Sequence, residues 1–239
     1  MENYVPINGI KIWTDIRGNA NRYIILCSGG PGCSDYMLPV SQMIDDGYTV
    51  IRFEQRGCGR SDIDGNYDMY TAISDMEAIR EYYGITAWIV GGHSWGANLS
   101  LAYAIHHSDK TKAILYIAGN GIQNYRSWYT KYHANLDKYR ETVPEMLYEF
   151  NSEVNKQCIK SWREFIQTPL LYKYVAELNI CTLVMCAQKD IRPNWPAMQI
   201  QALMPNAELA IIEGAAHYIW LTHDDEMRKK LRSFLKLPQ

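Results

Sequence analysis

Short apolar runs in the first 120 residues alternate with stretches of helical spacing: YIILC at 23–27, TVIRF at 49–53, AWIV at 87–90 and AILYIA at 113–118. Each is four to six residues long, is dominated by aliphatic, β-branched and aromatic side chains, and leads into a glycine-containing turn. Because polar residues do not alternate within them, these runs fit strands of a parallel sheet buried on both faces. Between them, 70–83 and 97–106 carry apolar residues at helical spacing, so the order is βαβα with right-handed crossovers. The pattern resumes with CTLVMC at 181–186, a helical stretch at 195–204 and ELAII at 208–212. A last helix is expected to start from Asp224 or Asp225 as its N-cap and to run to about residue 235, ahead of Pro238. The fold class is therefore α/β, with a mostly parallel, doubly wound sheet.

Residues 120–175 have a different character. They hold 11 of the chain's 29 aromatic residues in 56 of its 239 positions, with no alternating strand. That enrichment predicts a helical lid, inserted into a core formed by 1–119 and 176–239, that covers something apolar. Net charge is −2 with no long run of either sign, so no nucleic-acid partner is expected. The start, MENYVPINGIKIW, lacks a signal-peptide pattern, and no stretch approaches about 18 uninterrupted apolar residues; a cytoplasmic location without a membrane contact is the expectation. Cys27, Cys33, Cys58, Cys158, Cys181 and Cys186 include no C-x-x-C pair, and they are read as reduced, mostly buried thiols. Their spacing, with no paired His, weakens both a zinc and a disulfide-framework reading.

The chemistry is concentrated in Gly92-His93-Ser94-Trp95-Gly96, a G-x-S-x-G set between a strand and a helix. The string alone is weak, since composition gives it by chance roughly once in 3,000 positions. Its context is what counts. A nucleophile presented on a tight strand-to-helix turn needs small residues on both sides, and the helix N-terminus favours the negative charge of acyl transfer. On such a sheet the acid follows a late strand and the base follows the last one. Asp190 lies four residues beyond 182–186 and His217 five beyond 208–212, as that order demands. His106, His107, His133 and His223 are less well placed as bases, and Asp224 and Asp225 follow the histidine. Ser28-Gly29-Gly30-Pro31-Gly32 comes directly after the first run, where one oxyanion donor is needed; the backbone N–H groups of Gly30 and Trp95 are the candidates.

Taken together, SGGPG at 28–32, EQRGCGRS at 54–61, GGHSWGANLSLAYA at 91–104, QKD around Asp190 and GAAH ending at His217 resemble the α/β-hydrolase superfamily, and within it the proline iminopeptidase-like serine peptidases. These strings span about 200 of the 239 positions. The resemblance implies an acyl-enzyme on Ser94 and release of an N-terminal residue, preferentially proline, from a small-molecule or short-peptide substrate, without metal or organic cofactor. Two positions depart from the pattern: Ser28 stands where the family usually has His, and Glu54 where it has Asp. Proline iminopeptidases also usually carry a larger lid, whose acidic residues bind the substrate's amino group.

In this shorter lid Glu145, Glu149 and Glu153 share a face if Pro144 starts a helix, and Glu145 and Glu149 are candidate partners for an ammonium. Trp128, Tyr129, Tyr132 and Trp162 are candidates to pack on an acyl group, although such aromatics equally serve a lid's own core or a contact between copies in a homo-oligomer. The competing readings are a small carboxylesterase or lactonase-like hydrolase with an apolar lid pocket, and a non-catalytic binding protein that keeps the fold. An acidic lid residue directed at the acyl pocket would separate the first reading from the second.

Overall fold

The apolar runs become the inner strands of one eight-stranded sheet in the computed structural model, which describes residues 1–123 and 125–238. The strands are β1 (Glu2–Ile7), β2 (Ile10–Arg17), β3 (Tyr23–Cys27), β4 (Thr49–Phe53), β5 (Trp88–His93), β6 (Thr111–Ile117), β7 (Cys181–Ala187) and β8 (Ala207–Ile212). Their spatial order is β1-β2-β4-β3-β5-β6-β7-β8. From β4 to β8 every pairing is parallel, while β1 and β2 add an antiparallel edge. The helices are α1 (Leu38–Ser41), α2 (Met69–Tyr82), α3 (Trp95–His106), α4 (Tyr125–Leu136), α5 (Ser152–Phe165), α6 (Leu171–Glu177), α7 (Trp195–Leu203) and α8 (Asp224–Phe234).

Both faces of the sheet are buried, as the unbroken apolar runs required. Ile25, Val90, Ile114 and Val184 belong to the core that includes residues of α2, α3 and α5–α7, whereas their neighbours Ile24, Leu26, Ile89, Leu115 and Leu183 belong to the core under α1 and α8. This two-residue alternation is the pleat of a strand with a hydrophobic layer on each side. The edge hairpin β1–β2 turns through Asn8 (φ 48°) and Gly9 (φ 90°), the two left-handed residues that a tight two-residue hairpin needs.

Two local expectations fail. No helix forms from Pro144. The segment 137–151 runs irregularly because its polar groups are spent on distant anchors: Glu141 accepts a hydrogen bond from Arg192 Nη1 at 2.6 Å, and Asn151 N donates to the Gly32 carbonyl at 2.9 Å. At α8, Asp224 and Asp225 are not caps. His223 takes the N-cap position without a side-chain bond, and Asp224, Asp225 and Glu226 form the first turn, where their charges face the unpaired N–H groups.

Candidate active site

The parallel register brings the first loop and the serine turn together. Cys27, the last residue of β3, is paired with Gly92 of β5, so the loop after β3 rises beside the turn after β5. Ser94 sits between β5 and α3 with φ 57°, an uncommon value for a residue with a Cβ. Its N–H donates to the Ile117 carbonyl at 2.8 Å, tying the turn to β6. The flanking glycines are obligatory. A Cβ on Gly96 would stand 2.0 Å from the Cys27 carbonyl oxygen, and one on Gly92 2.4 Å from the Gly96 carbonyl carbon. Trp95 is the first residue of α3, so its N–H has no intrahelical acceptor.

Asp190 and His217 meet at the same end of the sheet, beyond β7 and β8. His217 Nδ1 lies 2.6 Å from Asp190 Oδ2, and both side chains are almost fully buried. With Nδ1–H donated to the carboxylate, Nε2 carries the lone pair. Burial, and then the positive charge of Arg192, hold His217 well below the usual histidine value. Burial raises Asp190, while Arg192 opposes that shift. Arg192 N donates to Asp190 Oδ1 at 2.8 Å and its guanidinium bridges to Glu141. Single oxygen or nitrogen atoms of Glu141, Asp190 and His217 lie within 4.8 Å of one another, but the cation among them is Arg192.

A buried chain of hydrogen bonds links the two loops through His93. Gly29 N donates to Tyr36 Oη at 2.6 Å, Tyr36 Oη lies 2.8 Å from His93 Nδ1, and His93 Nε2 lies 3.0 Å from the His217 carbonyl. A carbonyl can only accept, so Nε2 of His93 carries the proton and Nδ1 accepts from Tyr36. Burial, and then the neighbouring His217, hold His93 well below the usual value, in keeping with a neutral ring. On the first loop, Asn155 Nδ2 donates to the carbonyls of Gly30 and Pro31 at 2.7 and 2.9 Å. Gly30 itself has φ 114°, and a Cβ there would lie 2.6 Å from Cys33 Sγ. Ser28 bonds Asp35, and Glu54 accepts from Asp35 N and Arg60 N, so both departures from the family pattern shape loops.

Ser94, His217, Gly30 and Trp95 line one cleft of about 160 Å³, together with Asn98, Asn120, Gln123, Trp128, Tyr129, Trp162, Arg163, Arg192 and Tyr218 among others. Of the expected lid residues, Trp128, Tyr129 and Trp162 reach it. Tyr132 instead stacks on Trp128, 5.1 Å between centroids. Glu145 and Glu149 are exposed and do not line the cleft, because the stretch that carries them is not helical. Glu149 borders a separate groove of about 900 Å³ with Gly57, Tyr148 and Phe150. Glu153 is exposed and accepts from Gln157. Arg192, His93, Tyr36, Asn120 and Gln123 had not been anticipated. Arg192 follows the acid by two positions and His93 lies inside the G-x-S-x-G string, but neither position alone marks a role.

A family profile described as the alpha/beta hydrolase fold matches residues 23–150, more than half of the chain. The chain belongs to the α/β-hydrolase fold family. Its sequence is similar to the proline iminopeptidase of Xylella fastidiosa (strain 9a5c), 37% identical over 110 residues that cover 44% of this chain and 34% of that protein. It is also similar to the proline iminopeptidase of Neisseria gonorrhoeae, 28% identical over 196 residues that cover 68% and 60% of the two chains. In these matches the chain spans less than two thirds of the relatives' length. Among solved structures this α/β-hydrolase superposes on E-2-(acetamidomethylene)succinate hydrolase with TM-score 0.80 at 16% identity, covering 99% of both chains. Proline iminopeptidase from Mycobacterium smegmatis gives TM-score 0.76 at 18% identity, covering 99% and 98%. These structural likenesses carry the fold. No helix among the described residues is long and apolar enough to cross a membrane.

Proposed function

We propose that the protein is a serine hydrolase that cleaves a small ester or amide through an acyl-enzyme on Ser94, with residues 120–175 forming the lid over the acyl group. The observation that carries this reading is the 2.6 Å pair of His217 and Asp190 opening onto the same cleft as a serine held at positive φ. Ser94 Oγ attacks the acyl carbonyl carbon while His217 Nε2 takes its proton. The carbonyl oxygen becomes an oxyanion that accepts from the N–H groups of Trp95 and Gly30. On collapse the proton passes from His217 to the leaving alcohol or amine, and water, deprotonated by the same Nε2, releases the acid. Asp190 holds the tautomer and stabilises the imidazolium; Arg192 opposes the upward pull of burial on Asp190.

A second reading, release of an N-terminal proline, is favoured by the sequence likeness to proline iminopeptidases and by a cavity that accepts a single ring. Against it, no Asp or Glu is among the described residues that line the cleft, and Glu141 beside it is held by Arg192. Hydrolysis of 4-nitrophenyl acetate tests the common mechanism. Ser94→Ala is expected to lower kcat by about 10⁴-fold or more with the fold intact. Unchanged turnover in that variant would remove Ser94 from the mechanism.

A further inference from the structure

Tyr36 is buried and touches three segments that the Ser94 mechanism uses: the loop after β3, the serine turn, and the stretch after β8 that carries His217. Gly29 N donates to its Oη at 2.6 Å, and a Cβ on Gly29 would lie 2.5 Å from that oxygen and 2.8 Å from the Ser94 Cβ. What separates Tyr36 from the serine is therefore a bare peptide, the one that leads into Gly30. The Tyr36 ring meets His93 and Tyr218 edge-on, each at 5.7 Å between centroids, and stacks on Trp220 at 5.9 Å.

The two ends of the hydrogen-bond chain fix its direction. The Gly29 N–H can only donate and the His217 carbonyl can only accept, so Tyr36 Oη receives one proton, gives its own to His93 Nδ1, and His93 Nε2–H ends on His217. A phenol accepts and donates through one oxygen, which is what this position needs. Burial raises the Tyr36 hydroxyl well above the ordinary tyrosine value, so the proton it gives to His93 stays in place. The backbone is fastened too. Tyr36 N donates to Ser28 Oγ at 3.2 Å, and Ser28 Oγ donates at 3.2 Å to Asp35, whose other carboxylate oxygen pairs with Arg52.

Resting on the Ser94 mechanism above, we propose that Tyr36, acting through His93, is a positioning residue that holds the oxyanion loop and the backbone of His217 at a fixed separation on either side of Ser94. The oxyanion develops only on the way to the tetrahedral intermediate, so loosening its Gly30 donor lowers kcat and leaves substrate binding nearly unchanged. Removing such a donor outright costs about 10²–10³ in kcat. Withdrawing its support is a smaller change, with an expected cost of about tenfold. Asp190 keeps its bonds to His217 and Arg192, so the protonation of His217 is left as it was.

The test sets Tyr36→Phe beside Tyr103→Phe on 4-nitrophenyl acetate, with the working fraction of each counted by fluorophosphonate titration carried to completion. Both substitutions take one hydrogen-bonded oxygen from a buried tyrosine, but Tyr103, bonded to Glu77 at 2.6 Å and Trp88 at 3.2 Å, does not line the cleft. Tyr36→Phe is expected to lower kcat per working site about tenfold with KM within about twofold and the acid limb of the pH profile unmoved. Its Ki for a trifluoromethyl ketone, whose adduct on Ser94 carries an oxyanion, should rise by the factor that kcat/KM falls. Tyr103→Phe should keep kcat within about twofold. In the native protein, ¹⁵N shifts of labelled histidine should show His93 as the neutral Nε2–H tautomer, a readout that needs no variant to fold. Unchanged kcat in Tyr36→Phe, equal losses in the two variants, or His93 found as the Nδ1–H tautomer would overturn the positioning role and leave the mechanism standing. Failure of the native protein on the acetate would take the mechanism down instead.

Discussion

On one side of the Ser94 cleft, the Asp190–His217 corner has its hydrogen bonds made: Nδ1 to Asp190, Arg192 to the same carboxylate, and the His217 carbonyl to His93. On the other side, Asn120, Gln123, Trp128 and Trp162 each hold a buried polar atom with no partner among the described residues. On the proposed mechanism the Asp190–His217 pair is held in place before any substrate arrives, so little reorganisation of that pair is left for the reaction itself. The lid side carries an unmet cost of about 1–3 kcal/mol for each orphaned group.

The largest effect is expected where the assembled side is cut. Asp190→Asn preserves the shape but presents His217 with an N–H donor that favours the wrong tautomer, and kcat should fall by about 10⁴-fold with the melting temperature little changed. Full activity would move the acid role to another residue. Next comes the charge that Arg192 places beside His217. Burial and that charge together keep His217 below about 6.5, the ordinary histidine value, so activity should persist on the acid side of neutrality and fail only as pH drops through the lowered value. Removing the cation lets His217 protonate more easily. In Arg192→Gln the acid limb of kcat/KM should move to higher pH, and an unmoved limb would show that burial alone sets it.

Cys33 probes the junction of the two sides, because its thiol packs against Gly30. Burial pushes that thiol up, so thiolate is scarce at neutral pH and alkylation should be slow, quickening as pH rises. Once alkylated, the protein should lose most of its esterase activity, since the adduct crowds the N–H proposed to meet the oxyanion. Full activity after complete modification would separate Gly30 from the oxyanion. The smallest effect is expected at Glu145→Gln and Glu149→Gln, which should stay within about twofold on any substrate, as exposed positions away from the cleft normally do. A large, prolyl-specific loss there would revive an acidic lid subsite.

What could be read from the chain follows the range of the forces involved. Strands β3 and β4 begin and end where their apolar runs do, because burial on both faces is written into consecutive residues. The G-x-S-x-G string, together with the spacing of Asp190 and His217 after their strands, was legible for the same reason. The edge hairpin is absent from the sequence reading, because its strands are partly exposed and mix polar with apolar residues, and Asn8-Gly9 is the turn signal that could have found it. The helix expected from Pro144 was not formed, since Arg192 and Gly32, 51 and 119 positions away from Glu141 and Asn151, hold that segment in another path. His93 shows the same limit. Its position beside Ser94 is plain, whereas its role in joining Tyr36 to the His217 backbone depends on contacts 57 and 124 positions apart.

The most direct measurement is intact-protein mass spectrometry after brief exposure to a fluorophosphonate ester, followed by peptide mapping, on the native protein, Ser94→Ala and His217→Ala. The account predicts one adduct per chain, on the peptide that carries Ser94, absent from Ser94→Ala and formed far more slowly in His217→Ala. An adduct elsewhere, or equal labelling of all three proteins, would contradict an activated nucleophile at Ser94.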